Sequence, residues 1–77
     1  MPCGRVRGAT RIVVTGRAYR AMNAAGIGMQ DIDAIRRHGT ARPGSAGDCI
    51  IMGYDLGGSP RTLRFHVGTH VILADVD

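Results

Sequence analysis

Two periodicities divide the chain. Between Arg17 and His38 apolar residues recur every three or four positions, as one face of a helix requires, and beyond Cys49 they run together or alternate, as strands require. Residues 10–15 are rich in β-branched side chains (Ile12, Val13, Val14) and predict a first strand. Thr15 is placed to cap a helix starting near Gly16 or Arg17, in which Ala18, Ala21, Met22 and Ala25 share a face and Gly26 supplies a left-handed stop. A second helix is expected from about Met29 to His38, with Met29, Ile32 and Ile35 on one face and Gly39 at its end. Its charges suit the helix dipole, Asp31 and Asp33 coming early and Arg36, Arg37 and His38 late.

Residues 41–47 are a cluster of turn formers that splits the chain in two. After it, residues 49–54 read as an apolar strand, residues 55–60 as a turn, and residues 62–67 as a strand alternating Leu63, Phe65 and Val67 against Thr62, Arg64 and His66. Residues 71–76 follow the Gly68-Thr69 corner as its hairpin partner. The order β-α-α-β-β-β predicts an α+β fold in which two short helices pack on one face of an antiparallel sheet.

Length limits what such a chain can do. Seventy-seven residues with 12 Gly, one Phe, two Tyr and no Trp suffice for a single small domain, residues 1–77, with residues 1–9 read as a flexible N-terminal segment. A multidomain enzyme is excluded, and self-association into a homodimer through an apolar face or sheet edge is open to so small a core. The apolar runs at 49–52 and 71–74 fall far short of the ~20 residues a membrane-spanning helix needs, and no signal-peptide pattern opens the chain, so a soluble, cytoplasmic protein with no membrane partner is expected. Cys3 and Cys49 lack paired zinc-site spacing and are read as free thiols. Met22, Met29 and Met52 are read as fillers of core gaps.

All ten basic residues are Arg and all six acidic residues are Asp, a composition that coding bias from a GC-rich genome would also produce. Placement carries more information than the net charge of +4. Residues 1–20 hold Arg5, Arg7, Arg11, Arg17 and Arg20 with no acid, whereas the remaining five Arg face six Asp. Clustered guanidinium groups suit phosphate, because they pair with it bidentately and release counterions on binding.

The run from Arg17 to Met22, followed by Gly26-Ile27 and a second short helix ending in Gly, resembles a family of small prokaryotic domains of unknown function. Their hallmark is a His-Ala-x-x-Arg-Met helix followed by Arg-Gly-Ile, and they are in turn similar to RelE/ParE toxins. Ala18, Met22, Gly26 and Ile27 match, while Arg17 stands in the His position and Ala21 and Ala25 stand in the two Arg positions. The resemblance spans about residues 10–76 and implies a toxin-like fold, with an antitoxin as partner and RNA or a ribosome as target.

Metal-independent RNA cleavage needs cations against the scissile phosphate and a group that moves a proton near neutral pH. Arg17, Arg20 and Arg64 are candidates for the first, and His66, His70 and Tyr54 for the second. The two histidines would face each other only if the hairpin loop spans residues 67–69; a two-residue turn at 68–69 would put them on opposite faces. Asp31 and Asp33 cannot share a helix face, and no metal site or other cofactor is expected. No phosphate-loop motif is present, and a tautomerase-like use of Pro2 as an amine base fails because glycines interrupt the segment that should be its strand.

Two functions remain in view. One is a toxin-like basic domain binding RNA or a ribosomal substrate through Arg5, Arg7, Arg11, Arg17, Arg20 and Arg64, with metal-independent ribonuclease activity as its reaction. The other is a non-catalytic phage or mobile-element inhibitor, anti-CRISPR-like, that binds an acidic surface on a host defence or regulatory protein complex. Sparse aromatics argue against a plain single-strand binder.

Overall fold

The structure, a computed structural model, describes residues 3–77 and is an α+β domain. Pro2 lies outside the described residues. The order is α1 (Cys3–Gly8), β1 (Val13–Val14), α2 (Gly16–Ala25), α3 (Met29–His38), β2 (Thr40–Pro43), a 3-10 turn (Ser45–Gly47), β3 (Cys49–Tyr54), β4 (Pro60–Val67) and β5 (Val71–Val76). The five strands lie in the order β1-β5-β4-β3-β2.

The helices that pattern predicts form where expected because their ends are satisfied locally. Thr15 Oγ1 accepts the Ala18 N–H at 3.1 Å and donates to the Ala74 carbonyl at 3.0 Å, so one hydroxyl caps α2 and ties it to β5. Gly26 closes α2 in the left-handed region (φ 71°), with its N–H on the Asn23 carbonyl and the Ile27 N–H on that of Met22. Ile27 then folds back into the core beside Met22.

Ile32 and Ile35 of α3, Ala18 and Met22 of α2, and Cys3 and Val6 of α1 cover one face of the sheet, against Cys49, Ile51, Leu63, Phe65 and Leu73. Among the described residues no helix covers the other face. It presents Thr40 and Arg42 from β2, Ile50, Met52 and Tyr54 from β3, and Thr62, Arg64 and His66 from β4, because side chains alternate across a strand.

Five expectations need correction. The sheet is mixed rather than antiparallel, since β1 pairs with β5 in parallel and is only two residues long. Residues 40–43, read mostly as loop, form β2 because their backbone finds a partner in β3, which local turn propensity does not encode. Residues 3–8, read as part of a flexible segment, form a third helix on the core, with Cys3 and Val6 buried one turn apart. Cys3 and Cys49 are not free thiols but a disulfide, their Cα atoms 5.3 Å apart. Met29 and Met52 also leave the core expected for them, being 41% and 43% exposed, whereas Met22 is buried.

Gly39 marks the closest approach of α3 to the sheet. A Cβ there would stand 2.6 Å from both the Ile35 and Met52 carbonyl oxygens, so backbone would have to move. Gly39→Ala is expected to lower the unfolding free energy by about 2–3 kcal/mol, read as a shifted denaturant midpoint.

Two carboxylates organise the β3–β4 turn. Asp31 accepts N–H bonds from Gly28 and Leu56, which hold its pKa below the usual carboxylate value and lash the start of α3 to the turn. Asp55 is lowered by the Ser59 N–H and then by Arg61, which contacts it at 3.0 Å. A depressed folded-state pKa stabilises the fold at pH above the unfolded carboxylate value of about 4, and that contribution disappears as pH falls through the lowered value. Thermal midpoints should therefore drop below about pH 4. Asp31→Asn with Asp55→Asn should flatten that acid limb, and an unchanged limb would show that the carboxylates carry none of it.

Candidate nucleic-acid interface

Strand register lays the open face out in rows. Arg42, Ile50, Arg64 and Asp75 are successive partners across β2, β3, β4 and β5. With strands about 4.8 Å apart, Arg42 and Arg64 stand about 10 Å apart with only Ile50 between them. One row along, Thr40, Met52 and Thr62 pair, with Thr62 exchanging backbone hydrogen bonds with Asp77. In the other direction His66 pairs with Ile72, and its imidazole Nδ1 meets the Asp48 carboxylate.

These rows shape a groove of about 360 Å³ lined by Arg17, Arg42, Arg64, Thr62, Asp75 and Asp77. Arg17 enters it from the first turn of α2 and contacts Asp75 at 3.5 Å, an exposed pair of little energetic weight. Among the described residues Arg42 and Arg64 have no ion pair and no side-chain hydrogen bond, and both are exposed. Their charges are therefore available to a ligand.

His66 completes the arrangement. With its proton on Nδ1, donated to the Asp48 carboxylate, the ring keeps Nε2 as a base, and the side chain is half exposed on the same face as Arg64. Asp48 is itself nearly buried, and its N–H is held by the Ser45 carbonyl. Two unpaired guanidinium groups can bind a phosphodiester, and the imidazole beside them, oriented by a carboxylate, can take a proton from a neighbouring hydroxyl.

The other residues named from sequence do not join this group. The hairpin loop spans Gly68 to His70, because Val67 pairs with Val71, so His66 faces Ile72 and the two histidines never meet. Tyr54 lies at the far end of β3 opposite Pro60, six residues and about 20 Å along β4 from His66. The leading arginines do not form one face. Arg5 donates to the Gly68 carbonyl at 2.7 Å, Arg7 is spent on the carbonyls of Arg36, Arg37 and Gly39, and Arg11 lies near the hairpin end. Arg20 leans over Gly16, and of the five Arg17 alone lines the groove. Sequence reasoning missed Arg42 and Asp48, since both sit in or beside the stretch that reads as loop. Alternation along β4 does put Arg64 and His66 on one face, and it was the one local signal for the site.

Fold and groove together define a small α+β domain with a cation-lined, helix-free sheet face. No protein-family model, curated protein or solved structure matches the chain. Among the described residues no helix is long and apolar enough to cross a membrane, and no three His, Cys, Asp or Glu side chains gather as a metal-ligand set.

Proposed function

We propose that the open sheet face binds the phosphate backbone of RNA and cleaves it without a metal, as the resemblance to RelE/ParE-like domains suggests. The observation that carries this reading is the convergence of unpaired Arg42 and Arg64 with the Asp48-oriented His66 on one exposed face. The guanidinium groups hold a phosphate and stabilise the charge that builds on its oxygens. His66 Nε2 takes the proton of the neighbouring 2′-hydroxyl, whose oxygen attacks phosphorus. The bond to the 5′ oxygen breaks, that oxygen takes a proton from solvent, and a 2′,3′-cyclic phosphate remains. Asp48 is a positioning residue, holding the ring through Nδ1 so that Nε2 faces outward. An antitoxin would act by covering this face, and the compartment that supplies RNA and ribosomes is the cytoplasm.

A second reading has its own support at the other end of the face, where Met52 and Tyr54 stand 43% and 70% exposed. An apolar pair on the same sheet face as two unpaired arginines suits an inhibitor that occupies an acidic protein surface of a host complex.

Cleavage of an RNA oligonucleotide separates the two. The wild type should release a cyclic-phosphate product, His66→Ala should slow it by about 100-fold or more, and Asp48→Asn should slow it less. Arg42→Ala with Arg64→Ala should weaken RNA binding and make the plot of log affinity against log salt shallower by about 2. RNA binding that ignores both salt and these substitutions would overturn the reading, and salt-insensitive stoichiometric capture of a host protein would put the inhibitor in its place.

A further inference from the structure

A second basic cluster lies elsewhere, at the end of the sheet where the β4–β5 hairpin turns. Arg5, Arg11 and His70 line a cavity of about 440 Å³ there, together with the hydroxyl-bearing Thr10 and Thr69. The groove on the open face contains two aspartates, whereas among the described residues no carboxylate lines this cavity. None lies nearby in sequence either, since residues 3–30 and 56–74 contain no acid. α1, the segment leading into β1, and the hairpin, which together build the cavity, therefore offer nothing of their own to neutralise it.

The arginines are placed rather than consumed. Arg5 Nη1 is fixed on the Gly68 carbonyl at 2.7 Å, which orients the guanidinium over the hairpin and leaves its other N–H groups uncommitted. Arg11 has no protein partner among the described residues and is exposed. Two guanidinium groups, an imidazole and two hydroxyls supply donors along one open surface depression, a chemistry suited to a tetrahedral dianion.

We infer that Arg5, Arg11 and His70, with Thr10 and Thr69, form a binding site for a phosphate group. It shares no residue with the groove, so it stands whether or not the open face cleaves RNA. The phosphate could belong to a polynucleotide running past the hairpin or to a small phosphorylated molecule, and the two sources have different signatures.

Inorganic phosphate titrated into the labelled protein should shift the amide resonances of Thr10, Arg11, Thr69 and His70. Arg5→Ala with Arg11→Ala should weaken that binding on the order of tenfold or more, as loss of charge-assisted hydrogen bonds implies. Arg42→Ala with Arg64→Ala should leave it unchanged. Because Arg5 also braces the hairpin, Arg11→Ala alone is the cleaner variant, and it too should weaken phosphate. If an RNA oligonucleotide loses affinity in the Arg11 variant and its salt dependence becomes shallower by about 1, the phosphate is part of a polynucleotide. If RNA binding is untouched while phosphate binding falls, the ligand is a small phosphorylated molecule. The site is refuted if phosphate moves none of these amides, or binds equally well after Arg11→Ala.

Discussion

Reducing the Cys3–Cys49 disulfide, or replacing both residues with alanine, is expected to remove about 4 kcal/mol of stability. The bond closes a loop with a sequence separation of 46, and a closed loop of that length restricts the unfolded chain strongly. A domain of this size has a total stability of roughly 4–12 kcal/mol, so the loss is a large fraction of what holds it folded. In thermal unfolding the midpoint should fall by roughly 15–30 °C on adding reductant. Equal midpoints with and without reductant would show that α1 docks by packing alone. Disulfides persist poorly in a reducing cytoplasm, so in that compartment the stability that matters would be that of the dithiol form. α1 would then be held by Val6 and by the arginine contacts at its end.

Those contacts give the second large effect. Arg36 is buried in α3, and its Nη1 donates to the carbonyls of Val6, Arg7 and Ala9 at 2.9, 3.1 and 2.9 Å, closing the end of α1. Arg7, at the end of α1, donates in return to the carbonyls of Arg36, Arg37 and Gly39, closing the end of α3. Each helix thus receives its C-terminal cap from the other, and each cation lies against the negative end of a helix dipole. Arg36→Met should cost about 3 kcal/mol, because it leaves buried carbonyls without a donor as well as removing the charge-assisted bonds. The urea midpoint should fall by roughly 2 M or more. Arg36→Lys should recover only part of this, since one ammonium cannot reproduce the fork that also reaches Asp33 at 3.0 Å. The double variant with Arg7→Ala should be less destabilised than the two single effects added, and strict additivity would show that the exchanged caps act independently.

The same arginines show why the leading basic segment misled. Five guanidinium groups in twenty residues predict a polyanion surface if they share a face, but α1 turns back onto the core and spends Arg7 on carbonyls. Local sequence has no means of counting unsatisfied helix ends thirty residues away. Arg42 and Asp48 were invisible as site residues for a related reason. Their positions follow from β2 pairing with β3 and from the tight turn between them, and both are properties of partners rather than of the segment itself.

What the chain determined alone is everything governed by near neighbours. α2 with its Thr15 and Gly26 caps, α3 from Met29 to His38, β3 and β5 at their full lengths and the α+β class all follow from periods of 3.6 and 2 and from residues that satisfy backbone groups a few positions away. Tertiary structure decided the remainder: the parallel edge strand, the disulfide, the exchanged arginine caps, the separation of His66 from His70, and the gathering of Arg42, Arg64 and His66 on one open face. Each of these joins groups distant in sequence, and such contacts exist only once the core has fixed the position of every strand.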